Sequence, residues 1–351
     1  MKIDILTVKG SPKDITAIDI FGRGVGGAEL ALISWAEVMA KRGHQIRIFN
    51  QTQHNTYNIN NVGYMPDIQF IPNEERDVLI TFRGPAMEAI GANGKQIGWS
   101  CDQYSIGSYD MWYNSVEKMI LISDFHKQDH VKRYGEVVNR KGQVIDLGVR
   151  TWEYYCEDEK TPPQKIPYSF IFCSVPDRGL NLLASVWPKI KETFPEASLT
   201  ITSDYTLWGA ASPLNMEYRM KFAGMPGVRF LGNIPRIATA GEPYNLMDEQ
   251  LKAEVNLYPC IYDENFCIAI AECQVAGVYC LTTNQGALAT TNFTGETYPG
   301  FDFDNMLYDL QNFYANPSIV RLAKSQEIKK QALERFDWNV IAAEWEKVFN
   351  E

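Results

Sequence analysis

The chain has 351 residues, with 33 Lys and Arg against 43 Asp and Glu, a net charge of −10 at pH 7. At about 150 residues per domain, this length indicates two domains or one large barrel. Apolar residues make up 45% and charged residues 22%, which excludes a largely disordered chain. The acidic balance disfavours a nucleic-acid partner, so any anionic ligand must be held by a few local groups.

The start of the sequence, MKIDILTVKG, predicts a strand rather than a signal peptide. No apolar run approaches the roughly 20 residues of a membrane span. We therefore expect a cytoplasmic protein, although a peripheral membrane contact is compatible with the sequence. The seven cysteines are odd in number and form no C-x-x-C pair, which predicts reduced thiols rather than disulfides or a zinc site.

Short apolar runs alternate with helical periodicities in the first 150 residues, a pattern typical of parallel strands joined by crossover helices. The predicted strands are KIDILTV, HQIRIFN, DVLITFRG, KQIGWSCD, EKMILISD and GQVIDLGV. The predicted helices are AELALISWAEVMAKRG and HKQDHVKRYG. This half therefore reads as an α/β domain.

Residues 151–167, TWEYYCEDEKTPPQKIP, combine an acidic cluster with three prolines, which is typical of a linker. A second α/β series follows, with strands YSFIFCSV, ASLTITSD, VRFLGN, EVNLYPC and VYCLTTNQG. Its helices are RGLNLLASVWPKIKETFP, FCIAIAECQVAG and the tail from Pro317. We expect an N-terminal domain at 1–155, a C-terminal domain at 165–330 and a final helix at 331–351.

A glycine cluster, GRGVGGAE at 22–29, lies between the first strand and the first helix. Glycines there let backbone N–H groups approach a phosphate at a helix N-terminus. The NAD fingerprint also needs an acidic residue after the second strand, where this chain has Asn50. A turn without a ligand is the alternative interpretation.

Glu272 lies within a helix that is apolar on all sides, which indicates a buried helix. A carboxylate in such a helix needs a partner that offsets its desolvation. Sugar or ribose hydroxyls could donate to it, and an internal salt bridge to Arg or Lys is the other interpretation.

Several motifs together resemble those of the retaining glycosyltransferases of family 4. Glu264 and Glu272 have the family's E-x7-E spacing, and GVGGAE resembles its N-terminal glycine loop. SVPDRGLNLLASVWPKI resembles its diphosphate-binding strand-loop-helix. Three further stretches fit in order, ISDFHKQDHVKRYG, VIDLGV and VRFLGNIPR before LKAEVNLYPCIYDENF, so the resemblance covers almost the whole chain. It implies a GT-B fold, with two Rossmann-like domains facing each other across a cleft and residues 331–351 packing back on the N-terminal domain.

The resemblance also implies roles for individual residues. Arg178 would neutralise the diphosphate of a nucleotide-sugar, with an exposed cation at a helix start as the alternative interpretation. Glu272 would accept hydrogen bonds from the ribose. Glu264 would face the donor sugar and phosphates, and Arg178, Glu264 and Asp102 are the expected catalytic residues. The remaining expected donor-binding residues are Gly26, Gly27, Ser174, Asn265, Phe266 and Cys267.

Two departures from the family pattern affect these expectations. Asn265 and Cys267 stand where the family usually has glycines, which leaves the donor sugar open. Cys101 and Asp102 stand where many members have a histidine that contacts the sugar. Asp102 could bind an acceptor hydroxyl or the donor sugar, and a turn residue is an equally good interpretation.

Arg83 and Trp99 are weaker candidates for an acceptor site. Arg83 follows a predicted strand and suits an acceptor or phosphate contact, or a structural ion pair. Trp99 belongs to an aromatic group that could stack on sugars, although a core beneath a loop is the commoner arrangement. The other members of this group are Tyr104, Tyr109, Trp112 and Tyr113.

His126 and His130 have the i, i+4 spacing that can bind a metal when a third ligand is near. A solvated helix face is the better interpretation, and we expect no metal site.

These patterns favour an enzyme that transfers a sugar from a nucleotide-diphosphate sugar to a hydroxyl of a glycan, lipid or small molecule, with retention of configuration. No metal or other cofactor is expected, because the nucleotide-sugar is itself a substrate. Two alternatives are a nucleotide-sugar-binding protein that has lost transfer and, less favoured, an NAD-dependent oxidoreductase.

Overall fold

A computed structural model describes residues 1–7, 14–22, 24–103, 108–154, 164–208 and 213–351. Arg23, Tyr104, Cys156 and most of the predicted linker lie outside these residues. The contacts within the described chain divide it into two compact units. The first unit is 1–19, 28–148 and 338–351, and the second is 20–27 and 149–337.

The first unit contains one mixed sheet and several helices. Its strands β1–β8 are Lys2–Thr7, Gln45–Gln51, Tyr57–Ile59, Val62–Pro66, Val78–Phe82, Lys95–Trp99, Lys118–Leu121 and Gly142–Val144. Its helices α2–α5 are Gly27–Lys41, Tyr109–Ser115, Asp124–Tyr134 and Glu136–Lys141, and α1, Ala17–Gly22, begins in this unit and ends in the second.

The strand order in this sheet is β3-β4-β2-β1-β5-β6-β7-β8. All neighbours are parallel except β3 and β4, which form an antiparallel hairpin. Every residue of β5, VLITF, is buried, as expected for a parallel strand covered on both faces. The six strands predicted in this half are confirmed, and the sequence analysis missed the β3–β4 hairpin.

The second unit contains a six-stranded parallel sheet with the order β11-β10-β9-β12-β13-β14. Strands β9–β14 are Ser169–Phe172, Ser198–Ile201, Val228–Phe230, Val255–Tyr258, Tyr279–Thr283 and Glu296–Tyr298. Helices α6–α12 are Leu180–Thr193, Pro213–Phe222, Leu246–Lys252, Ile268–Val275, Leu288–Thr291, Phe303–Ala315 and Ser318–Phe336.

The final helix α13, Trp338–Asn350, belongs to the first unit. Its Trp345 ring packs against Trp35 and Trp99, with centroid distances of 5.1 and 4.9 Å. All three indoles are almost completely buried, so they form a large apolar contact that anchors the C-terminal helix.

The division of the chain differs from the expected boundaries at three places. The long segment of the first unit, 28–148, ends at Gly148, whereas the N-terminal domain was expected to continue to residue 155. Helix α13 begins at Trp338 rather than at residue 331, because α12 continues to Phe336. Residues 20–27, which include the four glycines of the cluster, group with the second unit.

Replacing Trp345 by Ala should lower the free energy of unfolding by about 3–5 kcal/mol, because it removes the indole that joins α13 to α2 and β6. Chemical denaturation would measure this loss. Val340→Ala, at an exposed position of the same helix, is the matched control and should change stability by less than about 1 kcal/mol. Equal losses in the two variants would contradict the anchoring role.

Candidate functional site

Arg178 lies at the carboxyl edge of the sheet in the second unit. The chain leaves β9, makes a short helical turn at Pro176–Arg178, and enters α6 through Gly179. Gly179 has φ = 103°, and a Cβ there would overlap the carbonyl oxygen of Pro259 after β12. A glycine at this position therefore lets Arg178 lie directly beside the end of β12.

Arg178 and Glu264 form the centre of a polar cluster. The Nε of Arg178 is 3.1 Å from Oε1 of Glu264, and its guanidinium lies 3.6 Å from the centre of the Tyr262 ring. The Tyr258 hydroxyl is 3.0 Å from both Oε1 of Glu264 and Oγ of Ser174. Since a hydroxyl has one proton, Tyr258 can donate to the carboxylate while it accepts from Ser174.

Burial and charge act in opposite directions on this cluster. Burial raises the pKa of Glu264 above its usual value, against the opposing effects of Arg178 and the Tyr258 hydrogen bond. Burial by itself would lower the pKa of Arg178, but the carboxylates of Glu264 and Asp177 outweigh it and the pKa is raised. Arg178 is therefore a permanent cation, and Glu264 is the residue of the pair that is more easily neutralised, by protonation of its carboxylate.

Helix α9 begins four residues after Glu264, at Ile268. Cys267 caps this helix with φ = 71°, the left-handed region that favours glycine. The backbone N–H groups of Phe266 and Cys267 have no backbone acceptor within the described residues. Asn265 and Phe266 are buried, and the Phe266 ring packs edge-on against Phe336 at 5.8 Å. This segment could therefore present N–H groups to an anion.

The glycine cluster lies near the start of the same helix. A Cβ on Gly27 would be 3.1 Å from Cγ2 of Ile268, the first residue of α9. Gly26 is half-buried and directly precedes α2. The structure thus brings Gly27 close to the segment that follows Glu264.

Glu272 lies inside the second unit rather than at the sheet edge. Its side chain is 5% exposed, and Oε1 is 2.6 Å from Nη1 of Arg236. Nε2 of Gln250 approaches its other oxygen at 3.5 Å. The structure therefore shows an internal salt bridge, the second of the two interpretations. The ribose contact stays a prediction.

The Arg236–Glu272 pair is part of a larger buried network. Nε of Arg236 also pairs with Glu153, whose other oxygen accepts from Nε of Arg150 at 2.5 Å. Two arginines and two glutamates thus alternate in charge, which offsets the cost of burying them.

The first unit holds a second polar cluster, at the carboxyl ends of β5 and β6. Arg83 makes a bidentate pair with Asp102, with Nε–Oδ2 and Nη2–Oδ1 distances of 2.5 and 2.9 Å. Its Nη1 donates to Glu29 in the first turn of α2 at 2.7 Å. Arg83 and Asp102, which the sequence analysis treated as separate candidates, therefore belong to one cluster. The structure adds Glu29 to this cluster.

His126 supports this cluster from α4. Its Nδ1 accepts from the N–H of Ile122 at 3.4 Å, which leaves Nε2 to donate to the carbonyl oxygen of Asp102 at 3.2 Å. Cys101 is buried, and burial raises the pKa of its thiol well above the usual value. His126 therefore positions the backbone of Asp102, and Cys101 is a neutral packing residue.

Two expectations for the first unit need correction. Trp99 was a candidate for acceptor contact, but it is 1% exposed and its ring lies among Trp35, Phe82 and Trp345. His126 and His130 were placed on a solvated face, but both are fully buried. The described members of the aromatic group, Tyr109, Trp112 and Tyr113, form a core cluster that surrounds this part of α4.

Among the described residues, no three His, Cys, Asp or Glu side chains are placed to hold a metal ion. No described helix combines the length and apolarity needed to cross a membrane. The absence of a cofactor and the cytoplasmic location stay predictions.

Solved structures of similar fold include several glycosyltransferases. A glycosyltransferase from Rickettsia africae has a TM-score of 0.74 and 17% identity, with 99% of this chain and 98% of that chain covered. HepE from Anabaena, in complex with UDP and glucose, has a TM-score of 0.69 and 13% identity over 100% and 99%. The chain has the GT-B fold.

Sucrose-phosphate synthase from Thermosynechococcus elongatus has a TM-score of 0.66 and 15% identity over 100% of this chain and 98% of that chain. No family model and no curated protein matches the sequence. The GT-B prediction is confirmed, and so is the structural resemblance to glycosyltransferases of this type.

Sequence reasoning missed several polar residues of these clusters. Tyr258 lies in the predicted strand EVNLYPC and Tyr262 directly precedes the DEN segment, so their proximity to Glu264 was a usable signal. Glu29 and Arg236 gave no comparable signal, because their partners lie far away in the sequence.

The buried histidines predict a loss of stability in acid. Burial is the main cause that lowers the pKa of His126 to about 3 and the pKa of His130 to about 4. Below pH 6.5 the two histidines bind protons in the unfolded chain but not in the folded protein. The free energy of unfolding therefore decreases as the pH is lowered. When the pH is lowered from 7 to 5, the free energy of unfolding of His130→Gln should decrease by about 2 kcal/mol less than that of the unchanged protein. Denaturant unfolding at the two pH values measures this difference. His54→Gln, at an exposed histidine, should show no such difference.

Replacing Arg236 by Met should destabilise the protein by about 3–5 kcal/mol, because Glu153 and Glu272 would then lack their shared cation. Thermal or chemical unfolding measures this loss. The control is Lys189→Ala, which removes an exposed pair with Glu192 and should cost less than about 1 kcal/mol. A small loss for Arg236→Met would show that the network is not a stabilising element.

Proposed function

We propose that this protein is a retaining glycosyltransferase that moves a sugar from a nucleotide-diphosphate sugar to a hydroxyl acceptor. The observation that carries the proposal is the placement of Arg178 and Glu264 together at the carboxyl edge of the second sheet, beside the start of α9. Ligands of open α/β sheets bind at such edges. The GT-B fold, shared with glycosyltransferases, supports the same function.

Arg178 would stabilise the departing nucleoside diphosphate. A planar guanidinium can bind phosphate oxygens in a bidentate manner, and its attraction strengthens as the leaving group gains negative charge. The N–H groups of Phe266 and Cys267, with the N-terminus of α9, would add partial positive charge at the same place.

Glu264 would face the donor sugar. Tyr258 and Arg178 fix its carboxyl group, so its orientation is set before the substrate binds. Sugar hydroxyls can donate to this group, and no carboxylate has to attack the sugar. Instead, an oxygen of the departing diphosphate would help to deprotonate an acceptor that arrives on the same face, which gives retention of configuration.

The acceptor would use the carboxyl edge of the first unit. Because Asp102 is held by both Arg83 and the backbone contact of His126, we assign it to positioning the acceptor rather than to accepting the reacting proton. Glu29 shares Arg83 with Asp102, so this edge presents hydrogen-bonding groups with fixed orientation.

Replacing Arg178 by Gln should weaken the binding of nucleoside diphosphates by about 10- to 100-fold. This range corresponds to the loss of a hydrogen bond to a charged group, about 1.5–3 kcal/mol. Calorimetric titration with UDP, GDP and ADP identifies the preferred nucleotide and measures the change. Lys189→Ala, an exposed cation on α6, is the control and should bind unchanged.

The alternatives give different results. If the protein releases no nucleoside diphosphate from any nucleotide-sugar with any acceptor mixture, yet binds the donor, it is a binding protein without transfer activity. If NAD raises the melting temperature and nucleotide-sugars do not, the oxidoreductase is the better explanation. Unchanged diphosphate affinity in Arg178→Gln would remove the donor assignment.

A further inference from the structure

The first unit contains a cavity of about 330 Å³, and none of its described lining residues belongs to the Arg83 cluster. It is lined by Asp14, Thr16, Ile18, Asp19, Gln51, Gln53, Asn55, Tyr57 and Ile59. This volume is at the lower end of the roughly 300–1,000 Å³ that small-molecule sites occupy.

The sheet order places the cavity on the proposed acceptor edge. Gln51 is the last residue of β2, and Arg83 follows β5 directly, with β1 between these two strands. At about 4.8 Å per strand, the ends of β2 and β5 are about 10 Å apart. The cavity and the Arg83 cluster are therefore neighbouring positions along one edge of the same sheet.

The cavity is shaped by hydrogen bonds within its own wall. Asp14, with φ = 53°, accepts from the N–H and the hydroxyl of Thr52 at 2.7 and 2.5 Å. The N–H of Asp14 donates to the carbonyl of Asn50 at 3.0 Å. Asp19 caps the start of α1 by accepting from the N–H of Thr16 at 2.8 Å. These contacts fix the wall against β2 before a ligand enters.

The lining combines hydrogen-bonding groups with an exposed apolar surface. The side-chain amides of Gln53 and Asn55 make no hydrogen bond within the described part of the chain, and each offers both donors and an acceptor. Ile18 is 64% exposed and Tyr57 is 40% exposed. An aromatic ring beside amide groups suits a sugar, because the C–H groups of the sugar can pack on the aromatic face while its hydroxyls bond to the amides.

Charge separates the ligand classes that could bind here. The described residues of the lining include two carboxylates, Asp14 and Asp19, and none of these residues is Lys, Arg or His. A phosphate or carboxylate in the cavity would be repelled by both, whereas a neutral hydroxyl can donate to a carboxylate oxygen. An uncharged, hydroxyl-bearing ligand therefore fits this lining better than an anion.

We propose that this cavity is a subsite for an uncharged sugar unit of the acceptor, which makes the acceptor a neutral glycan or glycoside. This inference rests on the proposed transferase function, because that function supplies the reason for a sugar at this edge. Tyr57 contacts the face of the sugar ring, and Gln53 and Asn55 hydrogen-bond its hydroxyls.

The test is saturation-transfer NMR on the full chain with methyl glucoside, methyl galactoside and methyl mannoside, compared with glucuronate and glucosamine. At least one neutral glycoside should bind, and glucuronate should bind at least tenfold more weakly. Tyr57→Ala should reduce the neutral-sugar affinity at least tenfold, and Tyr57→Phe, which keeps the ring, should restore most of it. The control is Tyr308→Ala, at a 62% exposed tyrosine of the second unit, which should have no effect.

Preferential binding of glucuronate or glucosamine would overturn the proposal, and so would neutral-sugar binding that Tyr57→Ala leaves unchanged. Diphosphate titration of the same samples separates this inference from the proposed function. Loss of sugar binding with intact diphosphate binding rejects the cavity alone. Intact sugar binding without any diphosphate binding rejects the transferase and leaves a sugar-binding site.

Discussion

The parallel arrangement of the strands determines where the polar clusters of this protein can form. Parallel strands end at one edge of a sheet, so residues that follow successive strands are brought together there even when they are far apart in sequence. In the second unit this edge unites Arg178, after β9, with Glu264, after β12. In the first unit it unites Arg83, after β5, with Asp102, after β6. In both units an arginine meets a carboxylate that sequence order alone does not place beside it.

Glu264 and Glu272 share one motif, yet their surroundings differ. Glu264 precedes α9 and lies at the sheet edge, whereas Glu272 is in the second turn of the helix and faces the interior. Glu272 therefore needs a full counter-charge, which Arg236 supplies from a loop after β11. The sequence predicted both the burial of Glu272 and the need for a partner. It could not choose between ribose and Arg236, because that choice depends on a contact between residues 36 positions apart.

Much of the fold could be predicted, since long apolar runs and regular helical spacing report burial directly. The parallel strands that were predicted and helices α2, α6 and α9 carried this signal. The β3–β4 hairpin did not, because its strands are short and β3 is mostly exposed. The burial of His126 and His130 was also missed, since a polar helix sequence favours a solvated face. Here the rings of Tyr109, Tyr113 and Tyr134 cover His130, and the Tyr113 hydroxyl lies 2.8 Å from its Nδ1.

The charge of the cluster around Arg178 and Glu264 constrains how an anion could bind to an acidic protein. Arg178 contacts two carboxylates, Asp177 and Glu264, so the three side chains together carry a net charge of −1 when both acids are ionised. A diphosphate beside Arg178 adds negative charge and favours the protonated form of Glu264, whose pKa is already raised by burial. Protonation leaves Arg178 paired with Asp177 alone, so the cluster becomes neutral before the ligand is counted. In the proposed complex, the carbonyl oxygen of the protonated Glu264 would still accept from a sugar hydroxyl, and Arg178, whose side chain is 14% exposed, would be available to the diphosphate. Such a coupling reconciles a net charge of −10 with the proposed anionic substrate.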